Sequence, residues 1–314
     1  MIRKLFLDRF VFILKYFIGI FLLAWILWRV DRRQLLETIL SIDIKTISAV
    51  LFLSATVITL QYQRWKFLVK ANSINYNHKD LLPAFFAGFA FRLMLPGGHA
   101  EITKVFLMPG KKSGKVLAFG LEKFLETYFK FLLVIAAIPY LFTSYRALWY
   151  LTAAGVIALF FLPYLLRSKL VQRFHEKETE HNKLVTLTLL YSAIVFLGLS
   201  IEYYVLLNGS YNITFFNTMI TVVFIWGAGL IPISVSGVGV RENVAVFLLA
   251  KYSIPDSSAV GFSLLIFFLN TIIPAAVGAF FIYKKRSHLN DVKEAVKNAY
   301  QKNKDSFKFW KNKE

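Results

Sequence analysis

The chain has 314 residues, of which 57% are hydrophobic and only 18% charged. A soluble domain is roughly 45–50% apolar and about 25% charged, so a soluble globular protein is excluded. The formal charge of +19 sits among membrane-length apolar runs. There, anionic headgroups and the positive-inside bias explain it more simply than nucleic acid does, and no nucleic-acid partner is expected.

A hydrocarbon core ~30 Å thick takes about 20 apolar residues of helix. In chain order, spans are predicted at 10–28, 44–63, 116–142, 148–166, 184–207 and 258–283. The first follows Arg3 and Lys4, as a signal peptide would. Its apolar stretch of about 19 residues exceeds the ~7–15 of a signal h-region, and it runs into Trp28-Arg29, so it reads as a retained anchor. Two further apolar stretches are broken. One, 81–95, stops at Pro96-Gly97-Gly98 and resumes over 100–108. The other, 213–231, stops at Pro232 and a Ser/Gly run and resumes over 240–250.

Charge placement decides how the broken stretches run. If each crosses the membrane once, Lys and Arg divide 18 inside to 13 outside. If each is a re-entrant hairpin, they divide 25 to 6, which obeys the positive-inside rule far better. The expected fold is therefore all-α. It is a polytopic integral membrane protein of the plasma membrane, with six spanning helices, two re-entrant helical hairpins and both termini cytoplasmic. Residues 1–283 form a single membrane domain and 284–314 a basic tail. In that tail Leu289, Val292, Val296 and Tyr300 suggest a short amphipathic helix on the inner leaflet.

This topology exposes a repeat. Span, basic linker, span, hairpin and long span occur over about 10–142 and again over about 147–283. Gly98-His99-Ala100-Glu101 and Gly239-Val240-Arg241-Glu242 match at an offset of 141. The first hairpin enters from the cytoplasm and the second from outside, an inverted plan that recurs in secondary transporters.

Breaking a helix inside a membrane leaves N–H and C=O groups that only protein or a wet cavity can satisfy. Gly97, Gly98, Gly237 and Gly239 permit the tight turns. Each second arm starts at its tip, so its positive N-terminal end faces the membrane interior. Glu101 and Glu242 fall in those first turns, beside Arg92 and Arg241. An ionised side chain at mid-bilayer costs at least ~2.5–3.5 kcal/mol. The acids Glu101, Glu122, Glu126, Glu202 and Glu242 and the bases Lys15, Arg92, Lys104, Lys123, Lys130 and Arg241 lie in or near membrane segments. Glu101, Glu242, Arg92 and Arg241 are candidates for a polar cavity or for Arg–Glu pairs that lock the hairpins. Glu122, Glu126 and Lys104 are candidates for the same site, and Lys15 is expected to snorkel to the interface. Glu122 lies near a helix start and Glu202 near a span end, positions from which both are expected to reach the interface.

Enzyme and metal motifs are wanting. The absence of Cys removes thiolate chemistry. Gly110-Lys111-Lys112-Ser113-Gly114-Lys115-Val116 has three residues between its glycines where a Walker A loop has four, and Val where Ser or Thr belongs. His175 and His181 have the wrong spacing for a helical zinc pair. No Ser/His/Asp set is recognisable, and neither a cofactor nor a metal is expected.

The chain resembles the lysylphosphatidylglycerol synthase transmembrane-region family, the flippase-like integral membrane domain, over most of 10–283. The carriers are Leu95-Pro96-Gly97-Gly98-His99-Ala100-Glu101 with Lys104, Leu121-Glu122-Lys123 with Glu126, and Ile231-Pro232-Ile233-Ser234 through Gly237-Val238-Gly239-Val240-Arg241-Glu242. Departures are the separation of Gly98 from Glu101 and Lys104 standing where the family commonly has Arg. The resemblance implies a translocator of a phospholipid or lipid-linked headgroup, anionic or zwitterionic. Arg92 and Arg241 would hold phosphate, and Glu101 and Glu242 would hold a cationic group or shape the tips. The tail is too short for the aminoacyl-lipid synthase domain of some members, so no synthase activity is expected. Two alternatives stay open: an accessory or enzyme of a glycosyltransferase or polyprenyl-lipid pathway, and a structural subunit. A homo-oligomer is compatible with either.

Overall fold

A computed structural model describes residues 17, 19–73, 77–94, 101–168, 171, 180–230 and 234–284. The expected amphipathic tail helix and the Pro96-Gly97-Gly98 turn lie outside these residues. The described chain is helical throughout, without a strand. The helices are α1 (Gly19–Arg29), α2 (Arg32–Leu40), α3 (Ile44–Asn72), α4 (His78–Met94), α5 (Thr103–Phe106), α6 (Ser113–Leu141), α7 (Leu148–Leu166), α8 (His181–Asn208), α9 (Phe215–Gly227), α10 (Val240–Leu249), α11 (Asp256–Phe267) and α12 (Ile273–Lys284). A π-turn, Phe268–Ile272, joins α11 to α12, so the last span runs over Asp256–Lys284.

Five described helices are long and apolar enough to cross a membrane: α3, α6, α7, α8 and the α11–α12 span. At 29 residues, α3 reaches about 44 Å at the ~1.5 Å rise, longer than a hydrocarbon core. Large apolar side chains such as Phe52, Phe131, Phe160 and Phe161 point outward along the spans. Water would penalise that surface and lipid does not. Exposed Trp28, Trp149 and Tyr150, against Tyr164 and Tyr283, mark span ends in the manner of interfacial aromatic belts. The chain is an integral membrane protein.

The structure departs from the sequence expectations in four places. The helix expected to stop at 63 continues to Asn72, which draws Arg64 out of a cytoplasmic loop and into the bundle. The segment after the first span forms a separate helix, α2. Asp31 caps it by accepting from the backbone of Arg33 and Gln34, and it packs on α11. The second arm of the first hairpin has only four α-helical residues, and the last span is interrupted by its π-turn. A π-turn is a rare distortion that concentrates at functional sites.

Packing pairs the two halves of the chain. α3 and α8, which hold matching places in the two halves, lie against each other. α4 packs on α12 and α9 packs on α6. α7 packs on α6, and α1 packs on α11 through Ile26, Val30 and Val260. Gly278 sets the α4–α12 approach, because a Cβ there would overlap the Phe86 backbone.

Two apolar cores result. One joins Trp65, Leu68 and Leu81 with Phe119, Leu125 and Leu184, using the C-terminal half of α3 and the N-terminal halves of α6 and α8. The other joins Val50 and Val57 with Ala137, Leu206, Val223 and Leu249, using the opposite halves of the same three helices. α4 and α5 belong to the first core, α9 and α10 to the second. Polar side chains collect where the cores meet.

Candidate functional site

The meeting zone contains a continuous ion-pair network. Arg64, 3% exposed, sends Nη2 to Glu126 Oε2 at 2.8 Å and to Glu122 Oε1 at 3.5 Å. Its Nη1 donates to Ser192 Oγ of α8 at 3.0 Å. Lys104 reaches Glu122 Oε2 at 2.8 Å and stands over the Trp65 ring at 4.0 Å. Lys130 meets Glu126 Oε1 at 2.8 Å and lies over Trp226. Lys123 pairs with Glu101 and stands 3.7 Å from Glu126. Arg92 meets the other Glu101 oxygen at 3.3 Å. Each charge of this network is therefore compensated, as a low-dielectric site requires, and α4 and α5 are tied to α6 by Arg92–Glu101–Lys123 and Lys104–Glu122.

Glu122 is 3% exposed; it is held by α3 and α5 and does not reach the interface. Glu202 is fully buried and bonded to Asn270 of the π-turn at 2.6 Å. It too departs from the interfacial position expected of it, because the π-turn covers that end of α8.

The second tip is built differently. Ser236, Gly237 and Gly239 all take positive φ, at 56°, 79° and 82°. At Gly239 a side chain would also run into Gly19, Leu22 and Leu23 of α1. Glu242, with no exposed surface, accepts from the Gly239 N–H at 2.7 Å and from Ser263 at 3.2 Å. A carboxylate at the third helical position capping the first N–H is half of a capping box. Arg241 Nη2 donates to Glu242 Oε1, the oxygen that Ser263 also bonds, at 2.9 Å, and Arg241 stacks on Phe267 with its guanidinium carbon 4.2 Å from the ring centroid.

α4 and the second tip border a cavity of about 180 Å³ lined by Gln61, Arg64, Arg92, Glu126, Lys130, Arg241 and the neutral polar side chains Ser236, Asn270 and Thr271, with Trp226, Tyr203, Phe89 and Phe267 as its aromatic wall. A second, smaller hollow shares Arg64, Arg92 and Glu126 with it and adds Glu101, Lys104, Glu122 and Lys123. Of the residues singled out from sequence, Arg92, Glu126 and Arg241 reach the larger cavity. Glu101, Lys104 and Glu122 line the smaller hollow. Gly237, Gly239 and Glu242 shape the second tip behind Arg241, and Gly97 and Gly98 lie outside the described residues.

Arg64 and Gln61 are the residues that sequence reasoning passed over. They lie seven and four residues from buried Val57, so helical spacing puts all three on one inward face. That signal was available once α3 was known to continue.

Three guanidinium groups from α3, α4 and α10 thus face one cavity, and the Nε atoms of Arg64, Arg92 and Arg241 are each buried without a hydrogen-bond partner. Buried donors are normally satisfied. Planar guanidinium forks match the oxygens of phosphate.

The family model described as lysylphosphatidylglycerol synthase TM region matches residues 12–278. Among curated proteins, none matches the chain.

Proposed function

Because the chain belongs to the lysylphosphatidylglycerol synthase TM-region family, a membrane-lipid family, we propose that it moves the phosphate-bearing headgroup of an anionic lipid between leaflets. The headgroup enters the cavity while the acyl chains stay in the bilayer. The observation that carries this reading is the convergence of three arginines from three helices, Arg64, Arg92 and Arg241, on one cavity.

Charge favours an anion. The paired network and the second tip hold six cations (Arg64, Arg92, Lys104, Lys123, Lys130, Arg241) against four carboxylates (Glu101, Glu122, Glu126, Glu242). Two positive charges are left for an occupant. Each of the four carboxylates already has a cation, which argues against holding an ammonium group with Glu101 or Glu242. Gln61, Asn270, Thr271 and Ser236 offer neutral hydrogen bonds to hydroxyls of a glycerol or sugar headgroup.

Six spans and two re-entrant hairpins in inverted repeats fit the cross-packing of α4 on α12 with α9 on α6, and the two cores at opposite ends of α3, α6 and α8. Such an arrangement lets one tip open as the other closes around a fixed site. The plasma membrane is the proposed location, with both termini cytoplasmic. The natural lack of Cys makes this directly measurable. Lys111→Cys is expected to react with a membrane-impermeant maleimide only after permeabilisation, and Ser210→Cys in intact cells. External labelling of Lys111→Cys overturns the topology.

Transport is tested with purified protein in liposomes carrying fluorescent phosphatidylglycerol, fluorescent polyprenyl phosphate or a cationic lipid. Faster transbilayer movement of one or both phosphate lipids, with the cationic lipid unchanged, is the expected result. Rates equal to protein-free liposomes for every phosphate lipid overturn the proposal.

A further inference from the structure

The described intramembrane carboxylates fall into two groups. Glu101, Glu122, Glu126 and Glu242 each touch a Lys or Arg. Glu202, on α8, has no exposed surface and forms no ion pair among the described residues. Its Oε2 accepts from Asn270 Nδ2 at 2.6 Å. Its Oε1 has no partner, and neither has Asn270 Oδ1. The Ser54 hydroxyl of α3 faces the same carboxyl.

The elements around α8 supply no free compensating charge. Within one turn on α8 itself only the phenols of Tyr203 and Tyr204 ionise. On α3 the charges either side of Ser54 are Lys45, at the exposed start of the helix, and Arg64, already held by Glu126 and Glu122. On α6 Lys123 and Lys130 are held by Glu101 and Glu126. α7 carries only tyrosines and α9 no ionisable residue. α11 has Asp256 at its far end. Arg241 and Glu242 of α10 pair with each other. An isolated buried carboxylate is strongly disfavoured, and such a group takes up a proton instead. A carboxylic acid can accept from Asn270 through its carbonyl oxygen, Oε2, and carry its proton on Oε1.

Asn270 connects this carboxyl to the cavity. Asn270 and Thr271 both line the cavity and both belong to the π-turn Phe268–Ile272. Thr271 accepts from Arg92 Nη2 at 3.4 Å. A π-turn holds one residue more than an α-turn and is a common place for a helix to change register.

We propose that Glu202 is a proton-binding site wired to the cavity through Asn270 and the π-turn, so that lipid movement and proton exchange are linked. The O–H bond forms at Oε1 with a proton taken from water and breaks by returning that proton to water. Loss of the proton leaves a carboxylate that demands donors, which draws Asn270 and its turn and thereby moves Thr271 against Arg92. The linkage rests on the translocation reading; the proton site itself does not.

Infrared difference spectra of the purified full-length protein, taken as pH is raised, test the site. A protonated-carboxyl C=O band that disappears with rising pH is expected in the wild type. It is absent in Glu202→Gln and shifted in frequency in Asn270→Ala, which keeps the carboxyl but removes its donor. A band insensitive to both variants, or no such band in the wild type, overturns the site. In liposomes, movement of fluorescent phosphatidylglycerol is expected to vary with pH in the wild type and to lose that variation in Glu202→Gln. An unchanged pH profile in Glu202→Gln overturns the linkage. If the wild type moves no phosphate lipid while the band still vanishes in Glu202→Gln, the translocation reading fails and the proton site stands.

Discussion

Arg64→Ala is expected to cost about 3–5 kcal/mol of stability, the usual effect of removing one partner from a buried ion pair. The guanidinium serves Glu122, Glu126 and Ser192 together, and its loss leaves Glu122 and Glu126 to lysines alone at membrane depth. Arg64→Lys is expected to recover only part of this, because an ammonium lacks the planar fork that reaches two carboxylates and a hydroxyl. Thermal melts in detergent measure both. Pairing Arg64→Ala with Glu126→Gln closes a double-mutant cycle, whose coupling is expected within about 0.5–3 kcal/mol. A melt unchanged by Arg64→Ala would mean that water reaches the network and screens it.

The second large effect is on transport. Arg92→Gln and Arg241→Gln each remove a charge-assisted donor set from the cavity wall. Hydrogen bonds to charged groups contribute about 1.5–3 kcal/mol, so each substitution is expected to slow anionic-lipid movement roughly tenfold to a hundredfold. The double variant is expected to reach the protein-free background. Its melt is expected to fall, because Arg241→Gln leaves buried Glu242 without a cation, and an unchanged size-exclusion profile shows that the fold is kept. Arg241→Ala should likewise abolish lipid appearance in the outer leaflet without loss of expression. Glu242→Gln differs in kind. Its carboxylate caps Gly239 and anchors Arg241, so both stability and transport should fall. Wild-type rates in the Arg92 and Arg241 variants would remove the cavity from the mechanism.

The two tips divide the work. The first is bolted by Arg92–Glu101–Lys123 to α6, and Lys104–Glu122 adds a second tie. The second is held by backbone capping, three positive-φ residues and the close approach of α1 at Gly239. Ion pairs can be exchanged for contacts with a phosphate at modest cost, because the cations trade one anion for another. A capped turn packed on a neighbouring backbone has no such substitute.

Much of this protein is legible without coordinates. Runs of twenty apolar residues need lipid whatever their packing, so the membrane class and the 148–166 span follow from hydropathy alone. Pro96 with Gly97-Gly98, and Pro232 with the Ser/Gly run after it, predict breaks, because proline removes a helix hydrogen bond and adjoining glycines weaken the turn around it. The acids and bases at membrane depth are visible because each is costly there.

Partnership is what the tertiary structure decided. Hydropathy falls at Gln61–Arg64 whether that polar face meets water or other charged side chains, so the bare chain gave α3 too early an end. Distance along a helix made Glu122 and Glu202 look interfacial. The hairpin helix α5 and the π-turn, brought in from 18 and 68 residues away, bury them instead. The joining of Arg64, Arg92 and Arg241 around one cavity rests on α3, α4 and α10 meeting in space. No periodicity encodes that meeting, because it depends on which helix faces pack together.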